Sequence, residues 1–316
     1  MNKWSKIGIS ATMGISVIAT THAINKFIFR ISTINHVTAK ADEKEFEWKF
    51  GKIKYTVSGS GSPLLLIHDL DTTASSYEWK NVISILSDEY CVYAIDLLGC
   101  GHSDKPNITY TTYMYTQLIN DFIMNVIHKK VSVIATGKSA PITLMTAYNN
   151  SYLFNSIILV NPESIKNALK APTKCNSMQR HIINLPIIGT LIYNICMSRK
   201  KIHDNFIYNN ICHSNINVLS DINAYHENSH IGGSYAKYLY SSIQGHYTTA
   251  SISRAVNQLD NSICIISGEH DKHAEQIAKE YEALNPSIKT TTIKETKHLP
   301  QLERPIAFSK AVKTYL

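Results

Sequence analysis

A chain of 316 residues holds one large domain with an insertion, or two smaller domains, and an apolar fraction of 44% is ordinary for a globular protein. The 31 Lys and Arg against 24 Asp and Glu leave a net charge of +7 with no long basic block apart from Arg199-Lys200-Lys201. That is a solvated, mildly cationic surface, and it argues against a nucleic-acid partner while leaving anionic lipid open. The 6 cysteines form no Cys-x-x-Cys pair and no zinc-type His/Cys spacing, so free thiols and no structural metal are expected.

In chain order, Lys3 and Lys6 precede Ile7 to Asn25, which lacks Asp, Glu, Lys and Arg, and Lys26 closes the run. The stretch reads as a membrane anchor or uncleaved signal, as a signal cleaved near Thr21-His22-Ala23, or as a buried leading helix. Its Ser, Thr, Gly and His22 make it a poor span. Residues 31–44 read as a polar tether. Alternation over Phe46 to Phe50 and Ile53 to Val57, with a Gly51-Lys52 turn, predicts an antiparallel hairpin. Leu64 to Ile67 is a short apolar strand of the buried parallel kind. Helical spacing follows over Ser75 to Leu86, then strand Val92 to Ile95, then a helix over Tyr113 to Ile127. Strand Val131 to Ala135, helix Ala140 to Tyr148 and strand Ile157 to Val160 continue the alternation. After Asn161-Pro162 strands cease. Residues from Ile165 to about Ile243 carry helical periods and breakers, the pattern of an inserted cap. A helix near Ala250 to Leu259, strand Ile263 to Ile266, helix Ala274 to Leu284, strand Ile288 to Ile293 and a helix from Pro305 close the chain. The fold class is therefore α/β, a mostly parallel sheet with helices on both faces. The expected organisation is a leading segment over 1–45, a core over 46–163 and 244–316, and a helical cap over 164–243.

The chemistry centres on Val131 to Pro141. A β-branched strand breaks at Gly137, Ser139 follows, and a helix begins, which is the layout of a strained turn that lifts a serine hydroxyl above a sheet edge. Small residues should flank the serine at two positions on either side. Gly137 meets this, and Pro141 does not. A serine needs a base, an acid to orient that base, and oxyanion donors. His298, in the loop before the terminal helix, is the base candidate. His68 precedes the serine, and His203, His213, His226, His230 and His246 lie in or beside the cap. Asp271, shortly after strand Ile263 to Ile266, is the acid candidate, with Glu163 as the alternative. The N–H groups of Ala140 and Leu70 are the expected oxyanion donors.

With these parts in order, the chain from about Trp48 onward resembles the α/β-hydrolase superfamily, in its capped serine hydrolase branch. The resemblance is carried by Leu64-Leu65-Leu66-Ile67-His68, by Ala94 to Pro106 around Asp96-Leu97-Leu98-Gly99-Cys100-Gly101, by the Ser139 turn, by Gly268-Glu269-His270-Asp271, and by His298-Leu299-Pro300-Gln301-Leu302-Glu303. It implies an eight-stranded sheet and hydrolysis of an ester or related small-molecule acyl substrate. No cofactor is implied. Ser139 would act as nucleophile through an acyl-enzyme. A serine at that position argues against the epoxide-hydrolase and haloalkane-dehalogenase branches, which use Asp there. One further departure stands out: the family has His-Gly after the oxyanion strand, and here Asp69 follows His68. Asp69 and Pro141 together motivate the rival expectation of a non-catalytic binding protein on this fold, and acyl transfer to an acceptor other than water is a third. The leading segment is expected to hold the protein at a membrane.

Overall fold

The computed structural model describes residues 3–212 and 218–316, with side chains described from residue 16 onward, so His213 lies outside the described residues. Eight strands form one sheet in the order β1-β2-β4-β3-β5-β6-β7-β8. They are β1 (Lys44–Trp48), β2 (Gly51–Ser58), β3 (Ser62–Ile67), β4 (Tyr90–Ile95), β5 (Val131–Thr136), β6 (Phe154–Val160), β7 (Ser262–Gly268) and β8 (Lys289–Ile293). The first hairpin and the β2–β4 pair are antiparallel, and every other pair is parallel.

Side chains alternate across the sheet, and the central strands are apolar on both faces through their middles because both faces are covered. Leu65, Ile67, Val133, Ala135, Ile157, Leu159, Ile263 and Ile265 enter one core. Their neighbours Leu64, Leu66, Ile134, Ile158, Val160, Cys264 and Ile266 enter the other, against Trp79, Phe308 and Val312. Complete burial of one such Leu or Ile contributes roughly 1.5–3 kcal/mol, so β3, β5 and β6 hold a fixed register. Ile67 pairs with both Ile95 and Ala135, and Val160 pairs with both Thr136 and Ile266. The loops after β3, β5, β6, β7 and β8 therefore leave from one edge of the sheet.

Three local expectations shift. The hairpin turn is Lys49-Phe50 rather than Gly51-Lys52, with Trp48 paired to Gly51. Gly51 takes φ +145° at a place where an added β-carbon would meet Asp104 Cβ at 2.7 Å. Ser75 to Leu86 is not one helix: a tight turn over Ser76–Trp79 is followed by a short helix over Ile83–Leu86. Buried Asp96 causes this by accepting from the Ser76 N–H at 2.8 Å and from its hydroxyl. The helix expected to reach Ile127 is regular over Thr112–Phe122. It ends in a wider turn over Ile123–Ile127 that closes on left-handed His128.

Between β6 and β7 the described residues form helices only, among them Lys174–Asn184, Ile188–Cys196, Val218–His230 and Ala236–Gln244. The leading segment is a helix over Lys3–Ser32 that packs on this insertion. Asn25 is the clasp, buried to 3% exposure. Its amide donates to the Ile187 carbonyl at 3.2 Å and its oxygen accepts from Asn194 at 2.9 Å. Phe29 lies against His230, with ring centroids 5.4 Å apart. The opposite side leaves Val17, Ile18, Ile24, Phe27 and Ile31 exposed. No helix among the described residues is long and apolar enough to cross a membrane. The expected tether is docked rather than free, because Glu227 accepts from the N–H groups of Val37 and Thr38 at 2.9 and 3.2 Å. Asn25→Ala should lower stability by about 1–3 kcal/mol, since it orphans polar groups in a buried contact. Denaturant unfolding checks the magnitude, and faster amide exchange confined to residues 16–32 checks the location.

Candidate active site

A strand-to-helix turn this sharp needs one residue in the left-handed region, and here that residue is Gly137 at φ +54°. Lys138 follows at φ −71° and Ser139 is already the first residue of the helix Ser139–Asn149. The apex of the turn thus lies two residues before the expected serine. Ser139 is fully buried and its hydroxyl donates to the His68 carbonyl at 2.6 Å, away from His298. Recentring the turn also accounts for Pro141. The small positions flanking the apex become Ala135 and Ser139, and Pro141 merely occupies the first turn of the helix, where a missing N–H costs nothing.

The space above Gly137 is filled by Asp69. A β-carbon added at Gly137 would lie 2.4 Å from Asp69 Oδ1 and 2.5 Å from its Cγ. Asp69 Oδ1 accepts the Lys138 backbone N–H at 2.7 Å. The N–H that directly follows the apex, and that points at an anion, therefore belongs to Lys138 and not to Ala140, whose N–H turns back to the Gly137 carbonyl at 3.2 Å. Leu70, the other expected donor, is a fully buried core residue. His68 fixes the Asp69 loop from below. Its Nδ1 lies 2.7 Å from the Asp69 carbonyl and its Nε2 accepts the Leu97 N–H at 3.0 Å, which assigns the proton to Nδ1. Burial lowers the His68 pKa and keeps the ring neutral in that role.

The structure does bring His298 and Asp271 together. His298 Nδ1 lies 3.4 Å from Asp271 Oδ2, and Nε2 on the far side of the ring lies 3.6 Å from Asp69 Oδ2. The imidazole is thus sandwiched between two carboxylates. Burial alone would lower its pKa, but Asp271 and Asp69 outweigh burial and raise it to about 10. Against the pull of burial, the Lys138 charge, His298 and the Lys138 N–H hold the Asp69 carboxyl well below the usual carboxylate range. Asp271 is likewise held down by His298. The alternative acid, Glu163, lines the same cavity, and burial raises its pKa while Lys138 opposes the rise. Its backbone N–H donates to the Gly137 carbonyl at 3.2 Å, and the partner of His298 Nδ1 is Asp271.

Glu78 and Tyr225 were not among the sequence candidates. Glu78 sits in the tight turn forced by Asp96, 1% exposed, where it accepts the Asp69 N–H at 3.1 Å and lies 3.2 Å from the Tyr225 hydroxyl of the cap helix Val218–His230. Burial, with the Asp69 charge beside it, raises the Glu78 pKa to about 8. Nothing in the linear pattern marks this carboxyl, because only the folded turn brings it beneath the cap. A cavity of about 560 Å³ opens between cap and sheet edge, of a size that suits a small molecule. Asp69, Glu78, Gly137, Tyr225, Asp271 and His298 line it; Ser139 does not.

A sequence profile of the alpha/beta hydrolase fold family matches residues 63–181, spanning β3 to the first cap helices. An epoxide hydrolase structure superposes with a TM-score of 0.71, covering 86% of this chain and 97% of that one at 20% identity. This chain has the α/β-hydrolase fold. By sequence it is 36% identical over 110 residues to a 2-hydroxy-6-oxo-6-(2'-aminophenyl)hexa-2,4-dienoic acid hydrolase of Metapseudomonas resinovorans, a match covering 34% of this chain and 38% of that enzyme. It is 30% identical over 133 residues to a soluble epoxide hydrolase of Corynebacterium sp. (strain C12), covering 42% and 46% respectively. The match thus spans less than half of either relative. The argument against the epoxide-hydrolase and haloalkane-dehalogenase branches required a serine at the apex. With Gly137 there, and an epoxide hydrolase among the relatives, that argument no longer holds.

Two outcomes follow from this geometry. Gly137→Ser should destabilise by about 1–3 kcal/mol, through positive φ and the collision with Asp69. Asp69→Gly in the same chain should recover much of the loss, and a double-mutant cycle by thermal unfolding measures the coupling. His298 has a folded pKa raised above its ordinary 6.5, so its contribution to stability is complete below pH 6.5 and lost as pH rises through about 10. Asp69→Asn should lower the His298 titration midpoint and shrink that alkaline loss, read by NMR of the ring protons.

Proposed function

We propose that the protein is a cofactor-independent hydrolase in which the carboxylate of Asp69, rather than a serine, attacks an electrophilic carbon of a small-molecule substrate. The observation that carries this reading is the position of Asp69. One oxygen is held by the N–H that follows the apex of the turn, and the other faces His298 at the cavity wall. A carboxylate can form a covalent intermediate that splits one difficult step into two. Asp69 Oδ2 attacks carbon, the leaving group departs, and an ester joins Asp69 to the substrate.

Esterification removes one of the two negative charges that hold His298 protonated. The His298 pKa then falls toward its ordinary value, and the ring becomes a base at the moment one is needed. It takes a proton from water, which attacks Asp69 Cγ, and Asp271 orients the ring through Nδ1. The Lys138 N–H, 2.7 Å from Asp69 Oδ1, stabilises the oxyanion that forms there. A seryl mechanism on an ester fits this site less well. It needs a neutral His298 in the free enzyme and an unoccupied oxyanion donor, whereas His298 lies between two carboxylates and the Lys138 N–H is taken. The likeness to an epoxide hydrolase supports the choice of electrophile, and the likeness to a dienoic acid hydrolase supports hydrolysis in the wider sense.

The rival reading, a non-catalytic binding protein, draws support from the mutual neutralisation of Asp69, His298 and Asp271. Turnover of a terminal epoxide by Asp69→Asn and Ser139→Ala variants separates the readings. The carboxylate mechanism predicts a loss of about a thousandfold or more for Asp69→Asn and activity retained within about tenfold for Ser139→Ala. The reverse pattern restores the seryl mechanism, and no turnover by the unaltered protein with any electrophile favours the binder. The exposed apolar residues of the leading helix, from Val17 to Ile31, further support association with a membrane surface. Co-flotation of the full chain with anionic vesicles, lost when Phe27 and Ile31 become Ser, is the expected result.

A further inference from the structure

Resting on the membrane-surface reading of the leading helix, we infer that the cap hairpin of helices Lys174–Asn184 and Ile188–Cys196 is a second lipid-inserting element. The two elements together form one face that docks on an anionic bilayer. The charge of the chain is segregated along its length. The helix Lys3–Ser32 and residues 164–203 together carry 11 of the 31 Lys and Arg and none of the 24 Asp and Glu. That leaves 20 bases against 24 acids elsewhere, so these two stretches account for the whole of the positive net charge. The second part of the cap, residues 204–243, has Asp204, Asp221 and Glu227 against Lys237.

Apolar exposure is concentrated on the same elements. Met178, Ile182 and Leu185 recur at i, i+4 and i+7, which is one stripe of a helix, and they are 61%, 42% and 46% exposed. Ile188 and Ile195 on the second helix of the hairpin are exposed as well. Among the described residues, half of the large apolar side chains left exposed lie on this hairpin and the leading helix. Single exposed apolar residues need no explanation, whereas a cluster with a polar rim marks an interaction surface. Asn25 makes the cluster continuous. Its amide reaches the Ile187 carbonyl, in the turn of the hairpin, at 3.2 Å. That contact sets exposed Ile24 beside the turn that exposes Leu185 and Ile188. Exposed Lys26 and Arg30 lie on the helix, exposed Lys174 opens the hairpin, and exposed Arg199-Lys200-Lys201 follow its end.

The charge selects the occupant. A second copy seated on this face would bring two positive surfaces together across a contact that excludes water. An anionic bilayer instead offers negative headgroups at its surface and hydrocarbon directly beneath. Lys and Arg stay at the headgroups while the apolar side chains between them enter the acyl region. The cavity beside Asp69 is lined by other elements. Among the described residues, none of its lining belongs to the leading helix or to residues 174–196. Lipid thus holds one part of the cap, and residues 205–210 and Tyr225 of the other part roof the cavity.

The test places an environment-sensitive fluorescent amino acid at position 185 of the full chain, and in a control at position 306, where Ile306 of the terminal helix is exposed on the core. With vesicles of phosphatidylglycerol and phosphatidylcholine, the probe at 185 should shift to the blue and be quenched by lipids brominated on their acyl chains. The probe at 306 should do neither, and vesicles of phosphatidylcholine alone should move neither probe. Leu185→Ser with Ile188→Ser should weaken partitioning onto the anionic vesicles by about tenfold or more, with the thermal unfolding midpoint retained. Replacing Arg199, Lys200 and Lys201 by Gln should weaken it too and flatten its dependence on salt. A probe at 185 that stays in water while the chain co-floats, with flotation lost on changing Phe27 and Ile31 to Ser, overturns the inference and spares the leading helix. A blue shift that grows with protein concentration and needs no vesicles assigns the face to a second copy and overturns it. No co-flotation of the unaltered chain removes both readings.

Discussion

The contact between the Asp69 carboxylate and the bare α-carbon of Gly137 sets the rest of the site. Glycine is required at the apex twice over, once for its left-handed backbone and once because any side chain would collide with Asp69. The carboxylate in turn is tolerated so near the sheet edge because the Lys138 N–H and His298 both serve it. Asp271 and Asp69 raise the His298 pKa from either side of the ring, and burial, with the Asp69 charge beside it, raises that of Glu78. One substitution pair, glycine at the apex and aspartate on the adjoining loop, thus reassigns the protonation state of each neighbour.

This coupling gives the site two electrostatic states. With Asp69 free, the positive ring lies between two negative groups and cannot accept a proton. With Asp69 esterified, one of those negative groups is gone and the ring can titrate near neutrality. In the proposed mechanism, charge would enforce the order of events: attack first, base catalysis second. The fold supplies the rigid frame for this, because β3 and β5 are adjacent, buried over their paired residues and in fixed register, so the loops bearing Asp69 and Gly137 cannot slide past one another.

Much of the frame was legible in the sequence. The apolar runs of β3, β5, β6 and β7 announce buried parallel strands, and the helical stretch after Pro162 announces an insertion, because period and length suffice for both. His298 and Asp271 were legible as a pair, since each directly follows a strand that leads to the same edge. The register of the turn was not. Gly137-Lys138-Ser139 contains a serine two residues after a glycine, and the pattern is satisfied by letters that fold into a different register. The signal that could have corrected it was present in the two departures. Asp69 in place of glycine and Pro141 in place of a small residue are both explained by a turn centred on Gly137 and by neither feature alone. Glu78 carried no linear signal, because its burial follows from a turn that Asp96 imposes across 20 residues of chain.

The account stands on Asp69 forming and losing an ester at its own carbonyl carbon. Single turnover of a terminal epoxide in heavy-oxygen water, with protein in excess, tests this directly. If water attacks Asp69 Cγ, the heavy oxygen enters the Asp69 carboxylate, and the peptide that contains it gains the corresponding mass while the first-formed diol stays unlabelled. Heavy oxygen in the diol with an unlabelled Asp69 peptide would mean that water attacks the substrate itself, and would contradict the carboxylate nucleophile.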